Sequence, residues 1–195
     1  MWEHRGIKGS GDAPSYLGKF KGNLIIIGGA RCVWDDYTKL TKSGFQGSVM
    51  AVNDIGLYFD KMLNHWVSMH ANYLVQWVAL RRGHSMLGHE CLTHTREPHA
   101  GIRVAWDIQP YGWTSGTFAA QVAIALGYES IVLCGVPQDG MGRFFDPPWM
   151  PGGEHDDKNS KKAFRNIVEN CPELKRCVRS MSGWTKGLFG EPGTD

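Results

Sequence analysis

The chain reads as an α/β, Rossmann-like fold, with a mostly parallel central sheet, helices on both faces and a lid or loop region. Three observations predict it. Short β-branched runs at Asn23–Ile27, Ser48–Val52 and Ser130–Cys134 are continuously apolar, as strands buried on both faces must be. Stretches with helical patterning alternate with these runs, and right-handed crossovers between them give a parallel sheet. Glycines, amides and hydroxyls stand where the strands end. The 195 residues suffice for one domain with a sizeable core.

Residues 1–22 are basic, glycine-rich and aperiodic, and are expected to form a loosely packed arm before a single domain at 23–190. The run from Asn23 to Ala30 is a buried strand closing on Gly28 and Gly29, and Asp35 and Asp36 open a short helix after it. A second strand ends at Asn53-Asp54, with a helix expected over Ile55 to Leu63. His65 to His70 reads as a third strand, followed by a helix from Asn72 to Arg82. Possible strands near Glu90 to Thr95 and Ile102 to Trp106 are read as an excursion over the active face. Thr117 to Leu126, rich in alanine, is a helix buried on most sides, and Gly127 stops it. The glycine-, proline- and aromatic-rich stretch 141–157 is too long for a plain connection and is read as a lid loop. An amphipathic helix over Lys158 to Glu169 ends near Pro172, and a last strand is expected over Arg176 to Ser180.

The net charge of +2 makes no case for a nucleic-acid partner. No run is long enough for a signal peptide core or a membrane span, and five cysteines without paired spacing suit reduced thiols, so a cytoplasmic location is expected.

In an open parallel sheet the ligand lies beyond the carboxyl ends of the strands. Those ends are Gly28-Gly29, Asn53-Asp54, His70, Thr114-Ser115-Gly116, Pro137 to Asp139 and Ser180 to Ser182, a polar set suited to a nucleotide. A helix opening on Thr-Ser-Gly offers free N–H groups and hydroxyls to a phosphate, although the same residues make an ordinary N-cap. Neither the dinucleotide fingerprint nor a P-loop is present. His84, His89, His94 and His99 recur every five residues, a step that scatters side chains on a helix and alternates them on a strand, so no metal is expected from them. His155 sits in Gly-Gly-Glu-His-Asp-Asp, whose carboxylates favour its charged form. It reads either as a base or as a surface-loop residue. Arg143, between aromatic residues and Asp146, either holds a phosphate or anchors its loop.

Several of these segments resemble the bacterial sialyltransferases of glycosyltransferase family 42, and more loosely the pterin diphosphokinase-like domains. Gly28-Gly29-Ala30 leads to Asp36-Tyr37-Thr38-Lys39-Leu40, Asn53 closes the second strand, and Ser115-Gly116-Thr117 runs through Val122–Tyr128 to Leu133-Cys134-Gly135. Phe145-Asp146 and His155 match the family's Phe-Asp and its general-base histidine. The chain departs at Gly29, where the family has asparagine, at Pro137, where it has aspartate, and near Asp139 and Arg143, where two phosphate-supporting tyrosines are missing. The resemblance implies a nucleotide-sugar donor, CMP-linked, an unidentified acceptor and no metal. It implies that Asn53 and Ser115-Gly116-Thr117 bind the nucleotide and that His155 is the general base. The strand-end reading adds Gly28, Gly29 and Thr114 to the nucleotide site, and Arg143, on the leaving phosphate, and Asp139 are expected as further catalytic groups. Two other readings fit the same residues: a nucleotide-binding module without chemistry, and a diphosphokinase or other phosphoryl-transfer enzyme. The latter would need a metal-binding carboxylate set, for which Asp54, Asp139 and Asp146 are available.

Overall fold

Sheet growth in both directions starts from β2 (Asn23–Ile27), which pairs in parallel with β3 (Ser48–Val52) on one side and with β7 (Ser130–Cys134) on the other. All three are buried beyond their first residue, which explains their unbroken apolar runs. This computed structural model describes residues 8–11, 13–84, 91–108, 114–147 and 157–193. On the β3 side follow β4 (His65–Val67), β5 (Leu92–Thr95) and β6 (Val104–Asp107), and on the β7 side β8 (Val178–Ser180), all parallel. An antiparallel strand, β1 (Lys8–Gly11), closes the edge beside β6, so the order is β1-β6-β5-β4-β3-β2-β7-β8.

Alternate residues of β2 face opposite layers. Leu24 and Ile26 pack under α4 (Ser115–Leu126), whose residues other than Gly116 are buried, with Phe164 and Ile167 of α5 (Asp157–Asn170) beside it. Ile25 and Ile27 pack against α2 (Val33–Lys42) and, with Trp66, against α3 (Ala71–His84). The alanines of α4 let it lie close over the sheet.

The structure differs from the sequence reading in four places. Ile55 to Leu63 is not a helix: only Asn53–Leu57 coil, as a 3-10 turn. The carbonyls of Gly56, Phe59 and Lys61 instead accept bonds from the buried guanidinium of Arg81, at 2.6, 2.6 and 2.8 Å. The two strands between α3 and α4 extend the sheet and make no excursion over the active face. Pro172, at the first position of α6 (Pro172–Cys177), starts a helix as well as ending α5, which takes Arg176 out of the last strand. Finally, the described part of the arm is packed. After β1 comes α1 (Ala13–Tyr16), with Ala13 fully buried, and the N–H groups of Gly18 and Phe20 donate to Ala125 and Leu126 at the end of α4. Gly127, at φ +102°, has the Phe20 carbonyl where a Cβ would stand. A short helix, α7 (Gly183–Phe189), ends the fold.

Beneath the arm runs a buried polar chain. The Trp106 indole, which can only donate, bonds His94 Nδ1 at 3.1 Å; His94 Nε2 lies 3.0 Å from His65 Nδ1, and His65 Nε2 2.8 Å from the Tyr128 hydroxyl. The donor at one end sets each tautomer: His94 carries its proton on Nε2 and gives it to His65, which carries its own on Nε2 toward Tyr128. Both rings are neutral and fully satisfied. Burial holds His65 down to about 4, and burial together with neighbouring His65 pushes His94 well below the usual histidine range. Phe20 covers the chain, edge-on to His65 at 4.9 Å and stacked on Tyr128 at 5.7 Å.

Candidate functional site

At the carboxyl ends of β2, β3, β4 and β7, where strand order reverses around β2, the sheet opens into a cleft of about 680 Å³. That volume falls among those of small-molecule sites. Each strand contributes the residues at its tip.

After β2 come Gly28 and Gly29, which lack side chains for different reasons. A Cβ on Gly28 would stand 2.6 Å from the Gly135 carbonyl oxygen and from Val136 Cγ2, so its bareness serves the junction with β7. Gly135, at φ +67°, is bare reciprocally, against Val33 and the Gly28 carbonyl. Gly29 faces the cleft, with only the Arg143 guanidinium near, 3.4 Å from where a Cβ would be.

After β3, Asn53 takes a left-handed conformation at φ 59°, which asparagine tolerates better than most residues. Its Oδ1 accepts from Ser68 Oγ at 2.9 Å and its carbonyl from the Trp66 indole at 2.6 Å. Asp54 beside it is ion-paired with Arg143. After β4, His70 reaches the cleft with an exposed ring that meets Tyr73 edge-on, while its N–H donates to Ser68 Oγ.

At the start of α4, Thr114 Oγ1 accepts the Thr117 N–H at 3.1 Å and the Thr114 carbonyl accepts that of Phe118. A helix cannot supply partners for its first N–H groups, here those of Ser115 and Gly116, and both residues line the cleft. Ser115 Oγ accepts a long 3.4 Å bond from the Met69 N–H. Thr117 does not join them. It is fully buried, and its hydroxyl donates to the Thr114 carbonyl at 2.9 Å.

The loop after β7 completes the wall. Gln138, at φ 54°, and exposed Asp139 line the cleft, the Asp139 carboxylate lying against Gly183 at the start of α7. Arg143 is stitched over the β2–α2 turn: Arg31 N–H donates to the Gly142 carbonyl, Phe144 N–H to the Gly29 carbonyl, and Arg143 N–H to Asp146 Oδ2. The described part of the expected lid, 141–147, therefore packs on the glycine turn. His155 and residues 148–156 lie outside the described residues, as do His89 and Trp113.

Two cleft contributors have no obvious signal in the sequence. Ser160, buried on α5, lines the cleft, and Asp36 on α2 supports it from behind. Asp36 Oδ2 accepts from the Gly135 N–H at 2.8 Å and from Ser182 Oγ at 2.7 Å, tying α2 to the ends of β7 and β8. Of Ser180 to Ser182, expected at the ligand, Ser182 thus serves this tie, while Ser180 Oγ lies 2.8 Å from the Thr185 hydroxyl and the Met181 N–H donates to the Leu133 carbonyl. Cys32 Sγ lies 3.2 Å from Ser182 Oγ, and burial pushes its thiol up to about 12. His94 belongs to the buried chain and His99 bonds the Ala100 carbonyl, so these two members of the histidine series do not converge. Among the described residues no group of three or more His, Cys, Asp or Glu side chains is placed to hold a metal.

Fold and cleft together define an open α/β sheet with a polar site at its topological switch point. Among solved structures, the chain is similar to the sialyltransferase CstII from Campylobacter jejuni in complex with a substrate analogue, cytidine-5'-monophosphate. The TM-score is 0.56 at 16% identity, over 87% of this chain and 84% of that one. It is also similar to the MAf glycosyltransferase from Magnetospirillum magneticum AMB-1, with a TM-score of 0.53 at 12% identity. That match covers 86% of this chain but 32% of the other. At such identities the shared property is the fold. No protein-family model and no curated protein sequence matches the chain. No helix among the described residues is long and apolar enough to cross a membrane.

Proposed function

We propose that the protein is a nucleotide-sugar-dependent glycosyltransferase that moves a sugar from a CMP-linked donor to an acceptor hydroxyl. The observation that carries this reading is the convergence of Gly29, Asn53, Ser115, Gly116 and Arg143 on one strand-end cleft. The likeness in fold to a sialyltransferase solved with cytidine-5'-monophosphate supports it.

In this reading the free N–H groups of Ser115 and Gly116, with the Ser115 hydroxyl and the Asn53 amide, hold the donor phosphate. The glycosidic bond to the phosphate breaks with its electron pair leaving on the phosphate oxygen. Arg143, poised over Gly29 by its pair with Asp54, then turns to that developing charge. The acceptor oxygen bonds the anomeric carbon and loses its proton to a base. His155 is the base that the family resemblance implies, and Asp139 supports the β7 side of the cleft. Among the described residues His70 is the imidazole that lines the cleft, which makes it the comparison for His155.

Thermal unfolding with CMP, UMP, GMP and AMP, with and without magnesium, tests the binding step, since a ligand of the folded state raises the melting temperature. A shift with CMP is expected, and no shift with any nucleotide at millimolar concentration overturns the proposal. CMP-sugar turnover by His155→Ala should fall by about 10²–10⁴-fold with nucleotide affinity unchanged. Loss in His70→Ala and not in His155→Ala would reassign the base.

A further inference from the structure

The rim formed by Asp54 and Arg143 carries a feature that phosphate binding does not use. Tyr58 and Phe145 are 55% and 52% exposed, a costly placement for large aromatic rings. They are held firmly nonetheless. Both meet half-buried Phe144 edge-on, with centroids 4.9 and 5.1 Å from it and planes inclined by 67° and 78°. Phe144 in turn is edge-on to Trp34 at 5.8 Å.

Arg143 joins this aromatic shelf to the cleft. Its guanidinium lies 4.9 Å over the Phe145 ring while it pairs with Asp54 and reaches Gly29. The shelf is therefore an exposed apolar surface continuous with a polar site, the situation in which such patches serve recognition. Each ring stands steeply to Phe144 and is half exposed beside a carboxylate and a guanidinium, a pairing of apolar and hydrogen-bonding surface that suits a sugar, whose C–H and hydroxyl groups lie side by side. A pyranose fits this chemistry. Its C–H face can rest on the aromatic rings while its hydroxyls donate to the Asp54 carboxylate and accept from the Arg143 guanidinium.

We infer that Tyr58 and Phe145, edged by Asp54 and Arg143, form an acceptor subsite for the sugar ring of a glycan. The inference rests on the glycosyl-transfer reading and narrows its acceptor to a carbohydrate. Tyr58 and Phe145 are half-exposed, so their replacement leaves the core intact, which far-UV circular dichroism checks.

Saturation-transfer NMR with methyl β-glycosides of glucose, galactose and N-acetylglucosamine at about 10 mM, a concentration suited to weak sites, reads the subsite. Thermal shift with CMP reads the cleft. Wild type should give saturation transfer to at least one glycoside, and Tyr58→Phe and Phe145→Tyr should keep it. Tyr58→Ala and Phe145→Ala should weaken it by about tenfold or more, with the CMP shift unchanged in all variants. A wild type that responds to CMP and to no glycoside overturns the subsite alone, as does an alanine variant with undiminished glycoside binding. Loss of the CMP shift in the alanine variants would mean that the shelf stacks the nucleobase, and also overturns it. A wild type that responds to neither probe removes the glycosyl-transfer reading and the subsite with it.

Discussion

Asn53 shows how one residue serves both the fold and the site. Its left-handed backbone means that Asn53→Ala mixes strain with loss of the side chain, and it strips Ser68 of its acceptor. Asn53→Gly separates the two effects, because glycine accepts this conformation freely. The alanine variant should lose about 1–2 kcal/mol more stability than the glycine variant, while both weaken CMP binding equally. Urea unfolding and calorimetric titration measure the two quantities. Gly28 and Gly29 divide in the same way. Gly28→Ala drives a Cβ into the backbone of Gly135 and should lower the melting temperature sharply. Gly29→Ala meets only the flexible end of Arg143, so it should keep the fold and disturb binding. Equal melting temperatures for the two variants would contradict this division.

At the scale of elements, the 3-10 turn that presents Asn53 and Asp54 owes its shape to α3. Three of the loop's carbonyls converge on the Arg81 guanidinium, and in its absence they face a buried space without a donor. Bonds to a charged donor are worth more than neutral ones, so Arg81→Met should cost about 3 kcal/mol of stability and also weaken nucleotide binding. Exposed Gln76, on the same helix, serves as the control, and Gln76→Met should change neither. Chemical denaturation and thermal shift with CMP check both variants. The Asp36 tie works similarly between α2, β7 and β8, and it holds the Gly28–Gly135 junction from the side opposite the ligand.

Across the whole molecule, the buried chain from Trp106 to Tyr128 makes stability depend on pH. An unfolded histidine takes up its proton near pH 6.5, whereas folded His65 does so only at about 4. The unfolded state therefore binds more protons throughout that window, and stability is full above pH 6.5 and falls as the pH drops toward 4. His65 alone accounts for about 3 kcal/mol of this loss, and His94, shifted in the same direction, adds to it. Urea midpoints between pH 7.5 and 4 should fall steadily, and the slope should flatten in a His65→Gln variant. An unchanged slope would place the acid sensitivity elsewhere.

Much of this architecture is legible without coordinates, because it is written in short-range patterns. The apolar runs of β2, β3 and β7, the alanine-rich stretch of α4 and the glycine that stops it depend on neighbours within one or two turns. Their alternation brings the glycine turn, Asn53 and the Ser115-Gly116 helix start to the same sheet edge, since parallel strands share a carboxyl end. Strand order and side-chain partnership were decided only in three dimensions. Nothing local shows that Gly28 is bare for Gly135, or that His94 belongs to a buried donor chain and not to a histidine series. Nor does it show that Ser182 completes a tie to Asp36, or that Trp34, Tyr58, Phe144 and Phe145 meet at one rim. These contacts join residues that lie far apart in sequence, and they form only when crossovers have stacked the strands and packing has brought both partners to one place.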